Sequence, residues 1–195
     1  MRIFADTALL ADIERLNEHP WVSGFTTNPT IFKQAGVTDP EAHAKEILTL
    51  TDKPVSIDGP LERVWGLGPN AIPKVVGALT PNLNRPPLNH TAICTPAQLA
   101  NEYRSDDIVS IFAGRIMDTG RSPNKLISLA RLTGAQVLWA STRELYHIRM
   151  AEIAGCDIIT IPPAMIDKLA DWWDAPLESV AERTIAQFAA DRIPW

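Results

Sequence analysis

Eight short apolar runs, most of them followed by a helix-like stretch, restrict the fold of this chain more than any other feature of its sequence. Most runs are almost continuous in apolar residues, as expected for parallel strands that are covered on both faces. Strands that alternate with helices predict an α/β fold around a parallel sheet, and eight strands favour a closed (β/α)8 TIM barrel over an open sheet. The predicted strands span residues 2–6, 24–28, 55–58, 74–79, 88–94, 108–113, 137–141 and 157–161.

Helical patterns follow several of these strands, but the middle of the chain is irregular. Between strands 3 and 4 only residues 61–65 could form a helical turn or two, and the TPNLNRPP segment between strands 4 and 5 cannot hold a helix. We therefore expect the helices after strands 3 and 4 to be shortened or missing. A neighbouring subunit would then have to cover apolar barrel surface, which predicts a homo-oligomer. The predicted helices span residues 8–18, 41–50, 96–103, 125–132, 143–154, 163–172 and 177–190.

Length and charge limit the function classes that suit the chain. Its 195 residues suit a single domain, 1–195, with a C-terminal helix at 177–190. A formal net charge of -5 disfavours general binding to nucleic acid or to an anionic membrane. No apolar run approaches the ~20 residues that span a membrane, and the opening MRIFADTALL is too short and too quickly acidic for a signal peptide. A cytoplasmic location is therefore the default expectation.

Cysteines and histidines give no sign of a metal centre. Cys94 and Cys156 lie in apolar runs, where we expect reduced core thiols. The four histidines show no metal-ligand spacing with them. We accordingly expect neither a metal nor an organic cofactor.

Polar residues stand at the carboxyl ends of several predicted strands, where barrel enzymes carry their functional groups. Carboxylates and amides set in apolar strands are costly unless they are paired, so a convergent set suggests a site. Any one of them could instead cap a loop or satisfy the backbone. The residues are Asp6, Thr26, Thr27, Asn28, Asp58, Asn89, Thr91, Ser110, Arg115, Ser141 and Arg143.

Lys74 is the one lysine set in an apolar run, NAIPKVVGAL. Desolvation lowers the pKa of an ammonium group, so that a neutral amine becomes available to attack a carbonyl carbon. Alternatively, Lys74 could be an edge residue whose ammonium reaches solvent. Pro73 precedes it, and proline is disfavoured inside a central strand because it lacks a donor for the ladder.

Seven segments, in the right order, resemble the transaldolase/fructose-6-phosphate aldolase family, especially its short bacterial and phage-type members. They span most of residues 2–162, and GFTTNPT, SIFAGRI and WASTRE together are highly specific. The segments are IFADTA, GFTTNPTIF, KPVSID, LNHTAI, VSIFAGRIMDTG, VLWASTREL and GCDIITIP. The resemblance implies a homo-oligomeric class I aldolase that forms a lysine Schiff base with sugar phosphates.

The resemblance also implies catalytic roles for matching residues. Asn70 and Lys74 keep the spacing of the family's fourth strand, which makes Lys74 the Schiff-base lysine. Asp6 matches the carboxylate that handles the proton of the C4 hydroxyl. Asp58 stands where the family usually has Glu or Gln, and with Thr91 it would position the catalytic water.

Seven further residues match substrate-binding positions of the family. Among them Arg115, Ser141 and Arg143 would clamp the phosphate, a role that suits the planar donors of arginine. Phe112 stands where transaldolases carry Phe and fructose-6-phosphate aldolases carry Tyr, which favours group transfer over simple cleavage. The set is Asn28, Asn89, Ser110, Phe112, Arg115, Ser141 and Arg143.

The function thus predicted is transfer of a dihydroxyacetone unit from a ketose phosphate to an aldose phosphate, as in the pentose phosphate pathway. One alternative is a lyase of the fructose-6-phosphate aldolase type. A second is a catalytically impaired member that only binds sugar phosphates, because strand 4 is altered and its flanking helices are reduced. The ordered set of motifs argues against a third interpretation, an unrelated α/β binding module.

Overall fold

Eight parallel strands pair in chain order, and β8 pairs with β1, so that the sheet closes into a barrel. The computed structural model that shows this describes residues 1–76 and 84–193. The predicted (β/α)8 TIM barrel is thereby confirmed. The strands are β1 (Arg2–Asp6), β2 (Val22–Thr26), β3 (Val55–Asp58), β4 (Ala71–Val76), β5 (Asn89–Ile93), β6 (Ile108–Ile111), β7 (Gln136–Trp139) and β8 (Ile158–Ile161).

Helices of very unequal length surround the barrel. Two short ones, α2 and α5, were not predicted from the sequence. For α2 a local signal exists: Asn28 caps the helix by accepting a hydrogen bond from the Ile31 N–H at 3.0 Å, and Pro29 follows as its first residue. In the described residues the helices are α1 (Leu10–Asn17), α2 (Pro29–Gln34), α3 (Pro40–Leu50), α4 (Leu61–Trp65), α5 (Ala113–Asp118), α6 (Asn124–Arg131), α7 (Tyr146–Ala154), α8 (Pro163–Trp172) and α9 (Leu177–Ala190).

The middle of the barrel has the reduced outer layer that the sequence predicted. After β3, α4 is only five residues long. After β4, residues 84–88 form no helix, whereas residues 77–83, with the predicted strand extension 77–79, lie outside the described residues. After β5 the predicted helix at 96–103 is wrong, since only Pro96–Leu99 form a single 3-10 turn. The chain beyond that turn is drawn to Asp107, whose carboxylate accepts a hydrogen bond from the Arg104 N–H at 2.9 Å.

Pro73 lies inside β4, opposite Ile57 of β3, without breaking the barrel. The Val55 N–H donates to the Asn70 carbonyl, and alternate residues of a strand direct their backbone groups to the same neighbour. Position 73 therefore directs its backbone towards β5. The β4–β5 ladder begins one residue later, with Lys74 opposite Asn89. The N–H that Pro73 lacks would thus lie just before the first hydrogen bonds of the β4–β5 ladder. The proline therefore removes no hydrogen bond from that ladder.

An apolar layer closes the barrel interior beneath a polar one. Phe4, Ile108 and Ile158 pack with Leu138 in a buried cluster, and each of the three lies two residues before a polar residue on its own strand. Because side chains two apart on a strand share a face, the apolar cluster forms the floor under those polar residues. Gly24 leaves room for the floor, since a Cβ there would lie 2.7 Å from the Phe4 ring.

The two cysteines differ in their surroundings. Cys156 is buried, and burial raises the pKa of its thiol to about 12. Cys94, which was expected in the core, is instead exposed just beyond the end of β5. A thiol one residue past a strand's end leaves the covered face of the sheet, which explains the difference.

Candidate active site

A cavity of about 370 Å³ opens at the carboxyl ends of the barrel strands. It brings together nine of the eleven residues to which the family resemblance gave a catalytic or substrate-binding role. Those nine are Asp6, Asn28, Asp58, Lys74, Thr91, Ser110, Phe112, Arg115 and Ser141. Further lining comes from Thr26, Thr160, Val76, Ala92, Leu138, Ala140 and the start of α2.

Lys74 occupies the β4 side of this cavity as a half-buried residue. Its ammonium donates a hydrogen bond to the Thr27 carbonyl at 2.5 Å, and the β3–β4 register sets it opposite Asp58. Burial lowers the pKa of Lys74, although the carboxylates of Asp6 and Asp58 act in the opposite direction. A lysine in this condition can supply a neutral amine at lower pH than a solvated one.

Asp6 faces Lys74 from the end of β1. Its Oδ1 accepts a hydrogen bond from the Thr26 hydroxyl at 2.7 Å. Burial raises the pKa of Asp6, while the Lys74 ammonium and the Thr26 hydroxyl partly offset that rise. A carboxyl group and an ammonium whose pKa values are shifted towards each other are suited to exchange protons with a substrate held between them.

Asn89 lies in the barrel interior and does not line the cavity itself. Its side chain is fully buried: Nδ2 donates to the Ser56 hydroxyl at 2.9 Å, and Oδ1 accepts from the Ser110 hydroxyl at 2.7 Å. Both ends of the amide are thus satisfied within the protein. Asn89 therefore ties β3 and β6 together and orients Ser110, which does reach the cavity.

Asn28 reaches the cavity from the start of α2. Its Oδ1 is occupied as the helix cap, which leaves the Nδ2 end of the amide as the part suited to a substrate hydroxyl. Capping also fixes the side-chain rotamer, so the amide is held in place before any ligand arrives.

Arg115 and Ser141 both line the rim of the cavity. The exposed guanidinium of Arg115 lies 5.6 Å from the Phe112 ring centroid. Ser141 has a φ of 62°, a left-handed conformation that is uncommon for a residue other than glycine. The loop approaches α5 so closely that a Cβ on Gly114 would lie 1.7 Å from the Ser141 carbonyl oxygen. Only glycine at 114 permits the two halves of this rim to touch.

Arg143 departs from the predicted phosphate clamp. Its guanidinium pairs with Asp118 at the end of α5 at 2.6 Å, and both side chains are about half exposed. It lines a separate cleft with Met165, Lys168 and Trp172. A carboxylate within reach on the neighbouring helix draws the side chain away from the cavity.

Two threonines to which the sequence analysis gave no catalytic or substrate-binding role, Thr26 and Thr160, contact each other in the cavity wall. Their hydroxyl oxygens are 2.6 Å apart. Thr26 was visible as a polar strand end in the sequence, but Thr160 was not singled out. The available signal was spacing, because Thr160 stands two residues after the floor residue Ile158, as Asp6 stands after Phe4.

A second cavity, of about 530 Å³, lies between α3 and α4 and is larger than the first. Its lining includes Asp58 but neither Lys74 nor Asp6. We assign the chemistry to the smaller cavity because the groups with shifted pKa values meet there. Across residues 1–76 and 84–193, no cluster of three or more His, Cys, Asp or Glu side chains could hold a metal ion. No helix in the same residues is long and apolar enough to cross a bilayer.

Known proteins resemble the chain over most of its length. The family model described as Transaldolase/Fructose-6-phosphate aldolase matches residues 3–59 and 86–192. A "Probable transaldolase" from Thermoplasma volcanium is 32% identical, with 87% of each chain covered. A "Probable transaldolase 2" from Listeria monocytogenes is 32% identical over 91% of this chain and 90% of its own. A "Probable transaldolase" from Mesorhizobium japonicum is 28% identical, and the match covers 98% of this chain and 96% of the relative's.

Among solved structures, one described as a "putative lyase/mutase from Burkholderia cenocepacia J2315" has a TM-score of 0.50 at 12% identity. It covers 99% of this chain and 87% of its own. At that identity the likeness shows the fold alone. Within the family match, residues 60–85 are skipped, so Lys74 is singled out by its position in the barrel and not by the matched segments.

Proposed function

Because the chain belongs to the transaldolase/fructose-6-phosphate aldolase family, we propose that it is a transaldolase whose nucleophile is Lys74. The observation that carries the assignment is that Lys74 and Asp6 line one cavity, with the pKa of the ammonium lowered and that of the carboxyl raised. As in other class I aldolases, the bond that breaks is the C3–C4 bond of a ketose phosphate.

The first step is attack of the neutral Lys74 amine on the C2 carbonyl of the ketose. Loss of water from the resulting carbinolamine gives an iminium ion, which can accept electrons. Asp58 and Thr91, both in the cavity wall, are suited to hold the water that leaves here and returns at the end.

Cleavage follows when the Asp6 carboxylate takes the proton of the C4 hydroxyl. The C3–C4 bond breaks, its electrons pass to the iminium nitrogen, and an aldose phosphate leaves with C4 as its aldehyde carbon. The bound three-carbon enamine then attacks the aldehyde carbon of a second aldose phosphate, and Asp6 returns the proton. Hydrolysis of the new iminium frees Lys74.

Substrate binding falls to the rim and to the polar side chains of the wall. Arg115 and Ser141 are suited to the phosphate, and Asn28 and Ser110 to the sugar hydroxyls. Arg143 would join them only by leaving Asp118. An exposed ion pair of that kind is worth at most about 1 kcal/mol, so a doubly charged phosphate can compete for it.

Reductive trapping tests the nucleophile. Borohydride added with fructose 6-phosphate should leave a reduced adduct on the Lys74 peptide, read by mass spectrometry. Lys125→Ala, which removes an exposed lysine of α6, should be trapped as fully as the wild type, and Lys74→Ala should not be trapped at all. An adduct on another lysine, or none, contradicts the assignment of Lys74.

A second candidate function is the lyase, in which dihydroxyacetone is released without an acceptor. Phe112 in the cavity wall favours transfer, since the lyases of the family carry Tyr at that position. Free dihydroxyacetone formed at the rate of ketose consumption, with no effect of an added aldose phosphate, would establish the lyase. Phosphate-ester binding without turnover, unchanged in Lys74→Ala, would establish a binding protein.

We also infer that the protein is a homo-oligomer and that it serves carbohydrate metabolism of the pentose phosphate type in the cytoplasm. Oligomerisation is supported by α9, which buries none of its residues against the barrel. Its Leu177, Ile185 and Phe188 are 80%, 68% and 70% exposed. Apolar side chains exposed along one helix mark a surface that a second copy can cover.

A further inference from the structure

A chain of three polar groups crosses the barrel interior from β8 to the carboxyl group of Asp6. Thr160 Oγ1 lies 2.6 Å from Thr26 Oγ1, which in turn lies 2.7 Å from Asp6 Oδ1. Thr160 and Thr26 are 4% and 1% exposed, so bulk water does not compete for their hydroxyl groups.

The direction of these hydrogen bonds follows from the charge of Asp6. An ionised carboxylate only accepts, so Thr26 must donate its single proton to Asp6. Thr26 Oγ1 can then only accept from the second hydroxyl, and Thr160 must be the donor. Hydrogen bonds in such a chain polarise one another, so the Thr160 donor strengthens the Thr26–Asp6 bond.

Thr160 is itself held in place from the loop after β7. The Thr142 hydroxyl donates to the Thr160 carbonyl at 2.8 Å, and Thr142 is also buried. In the part of the chain that the structure describes, the Thr160 hydroxyl has no other side-chain partner than Thr26. Its hydrogen-bonding capacity is therefore directed at the Asp6 chain.

We propose that Thr160 is a positioning residue, which acts through Thr26 to hold the Asp6 carboxylate in the orientation that faces Lys74. The proposal rests on the proposed function for its catalytic consequence, but the link from Thr160 to Asp6 stands independently of turnover. Thr160 lines the cavity wall, but in this role it acts on Asp6 through Thr26.

Replacement of Thr160 by valine isolates the hydroxyl, because valine keeps the shape and removes the donor. Loss of a donor that favours the ionised form raises the pKa of the carboxyl. We expect the pKa of Asp6 to be about half a unit higher in Thr160→Val than in the wild type. The NMR signal of the Asp6 carboxyl carbon, assigned by its loss in Asp6→Asn, follows the titration. Thr160→Ser, which keeps the hydroxyl, should titrate as the wild type does.

Turnover provides the second readout. In Thr160→Val we expect kcat to fall about tenfold with KM nearly unchanged, and the acid limb of the pH profile to move upward with the Asp6 titration. Thr160→Ser should have the kcat and the acid limb of the wild type. If Thr160→Val does not fold by circular dichroism, Thr160→Cys, with its weaker donor, replaces it in the comparison.

The outcomes separate the two proposals. An Asp6 titration that is the same in wild type and Thr160→Val, or that moves equally in Thr160→Ser, overturns the role of Thr160. Absence of a trapped adduct in the wild type overturns the function of Lys74 instead, and the Asp6 titration still decides on Thr160.

Discussion

At the scale of single residues, the site depends on two charged groups that the protein keeps in unfavourable surroundings. Lys74 and Asp6 are both desolvated, and each partly offsets the cost for the other. Groups held in this way are typical of catalytic sites, where function is retained at the expense of stability.

Replacing Lys74 by methionine should therefore stabilise the protein while it abolishes trapping. We expect the free energy of unfolding in urea to rise by about 1 kcal/mol at neutral pH, because the desolvation cost of the ammonium is removed and Asp6, whose pKa burial raises, can lose its own charge by protonation. Lys125→Met, on an exposed helix position, should change it by less than about 0.5 kcal/mol. An equally stable or less stable Lys74→Met would show that the ammonium is well solvated in the fold.

The lowered pKa of Lys74 determines whether the free energy of unfolding rises or falls with pH. At pH values between the pKa of Lys74 in the folded protein and its higher pKa in the unfolded chain, the unfolded chain binds more protons. The contribution of Lys74 to stability therefore increases as pH rises through this range. The advantage of Lys74→Met over wild type should accordingly be larger at low pH than at pH 10.

At the scale of elements, a buried ion pair stands beside β5 on the side of the barrel where the outer layer is reduced. Arg85 forms a bidentate pair with Asp107 at 2.7 and 2.8 Å. The same carboxylate accepts the Leu88 N–H at 2.9 Å just before β5, and the His90 ring lies 3.6 Å away. The pair thus fixes the entry to the strand that carries Asn89 and Thr91.

Asp107→Asn should destabilise the protein by about 3–5 kcal/mol, because it leaves the Arg85 charge buried without its partner. Asp106→Asn, one residue away but half exposed and paired with Arg104, should cost no more than about 1 kcal/mol. Urea denaturation measures both. Equal effects of the two substitutions would mean that Arg85–Asp107 is not the element that holds β5.

Acid should affect this pair in a defined direction. Burial alone would raise the pKa of Asp107, but hydrogen bonds from Arg85 and from the backbone N–H groups of Leu88 and Arg104 hold it well below its usual range. The stability it contributes is present above the ordinary aspartate pKa and is lost as pH falls below that value. The wild type should thus lose more stability than Asp107→Asn on going from pH 4 to pH 2.

At the scale of the whole molecule, the exposed apolar side chains of α9 are the basis of the proposed homo-oligomer. Static light scattering should give a mass that is a multiple of the 21.5 kDa of one chain. Phe188→Glu, which puts a charge on the apolar side of α9, should lower that mass, whereas the neighbouring Gln187→Glu should not. A wild-type mass of one chain would contradict the oligomer.

The number and order of the strands were predictable from the sequence because hydrophobic periodicity is a local property. The same holds for Asp6, Asn28, Asp58 and Ser110, since polar residues at the ends of parallel strands must meet at one end of a closed barrel. The short helix after β3 was predictable from the brief helical pattern at 61–65, and the absence of a helix at 84–88 from the proline and asparagine content of TPNLNRPP; both are local properties.

Lys74 shows the limit of this reasoning, because spacing alone could not exclude an edge lysine. Only the folded barrel sets it opposite Asp58, near Asp6, and places Pro73 just before the first residue pair of the β4–β5 ladder. Arg143 is the opposite case: the sequence predicted it in a phosphate clamp, but its guanidinium pairs with Asp118 and does not line the cavity. Thr160 enters the site only through a contact between β8 and β2.

The sequence by itself determined which groups stand at the strand ends. Tertiary structure decided which partner each group meets, because charge, burial and hydrogen bonding act over distances that only the closed barrel defines.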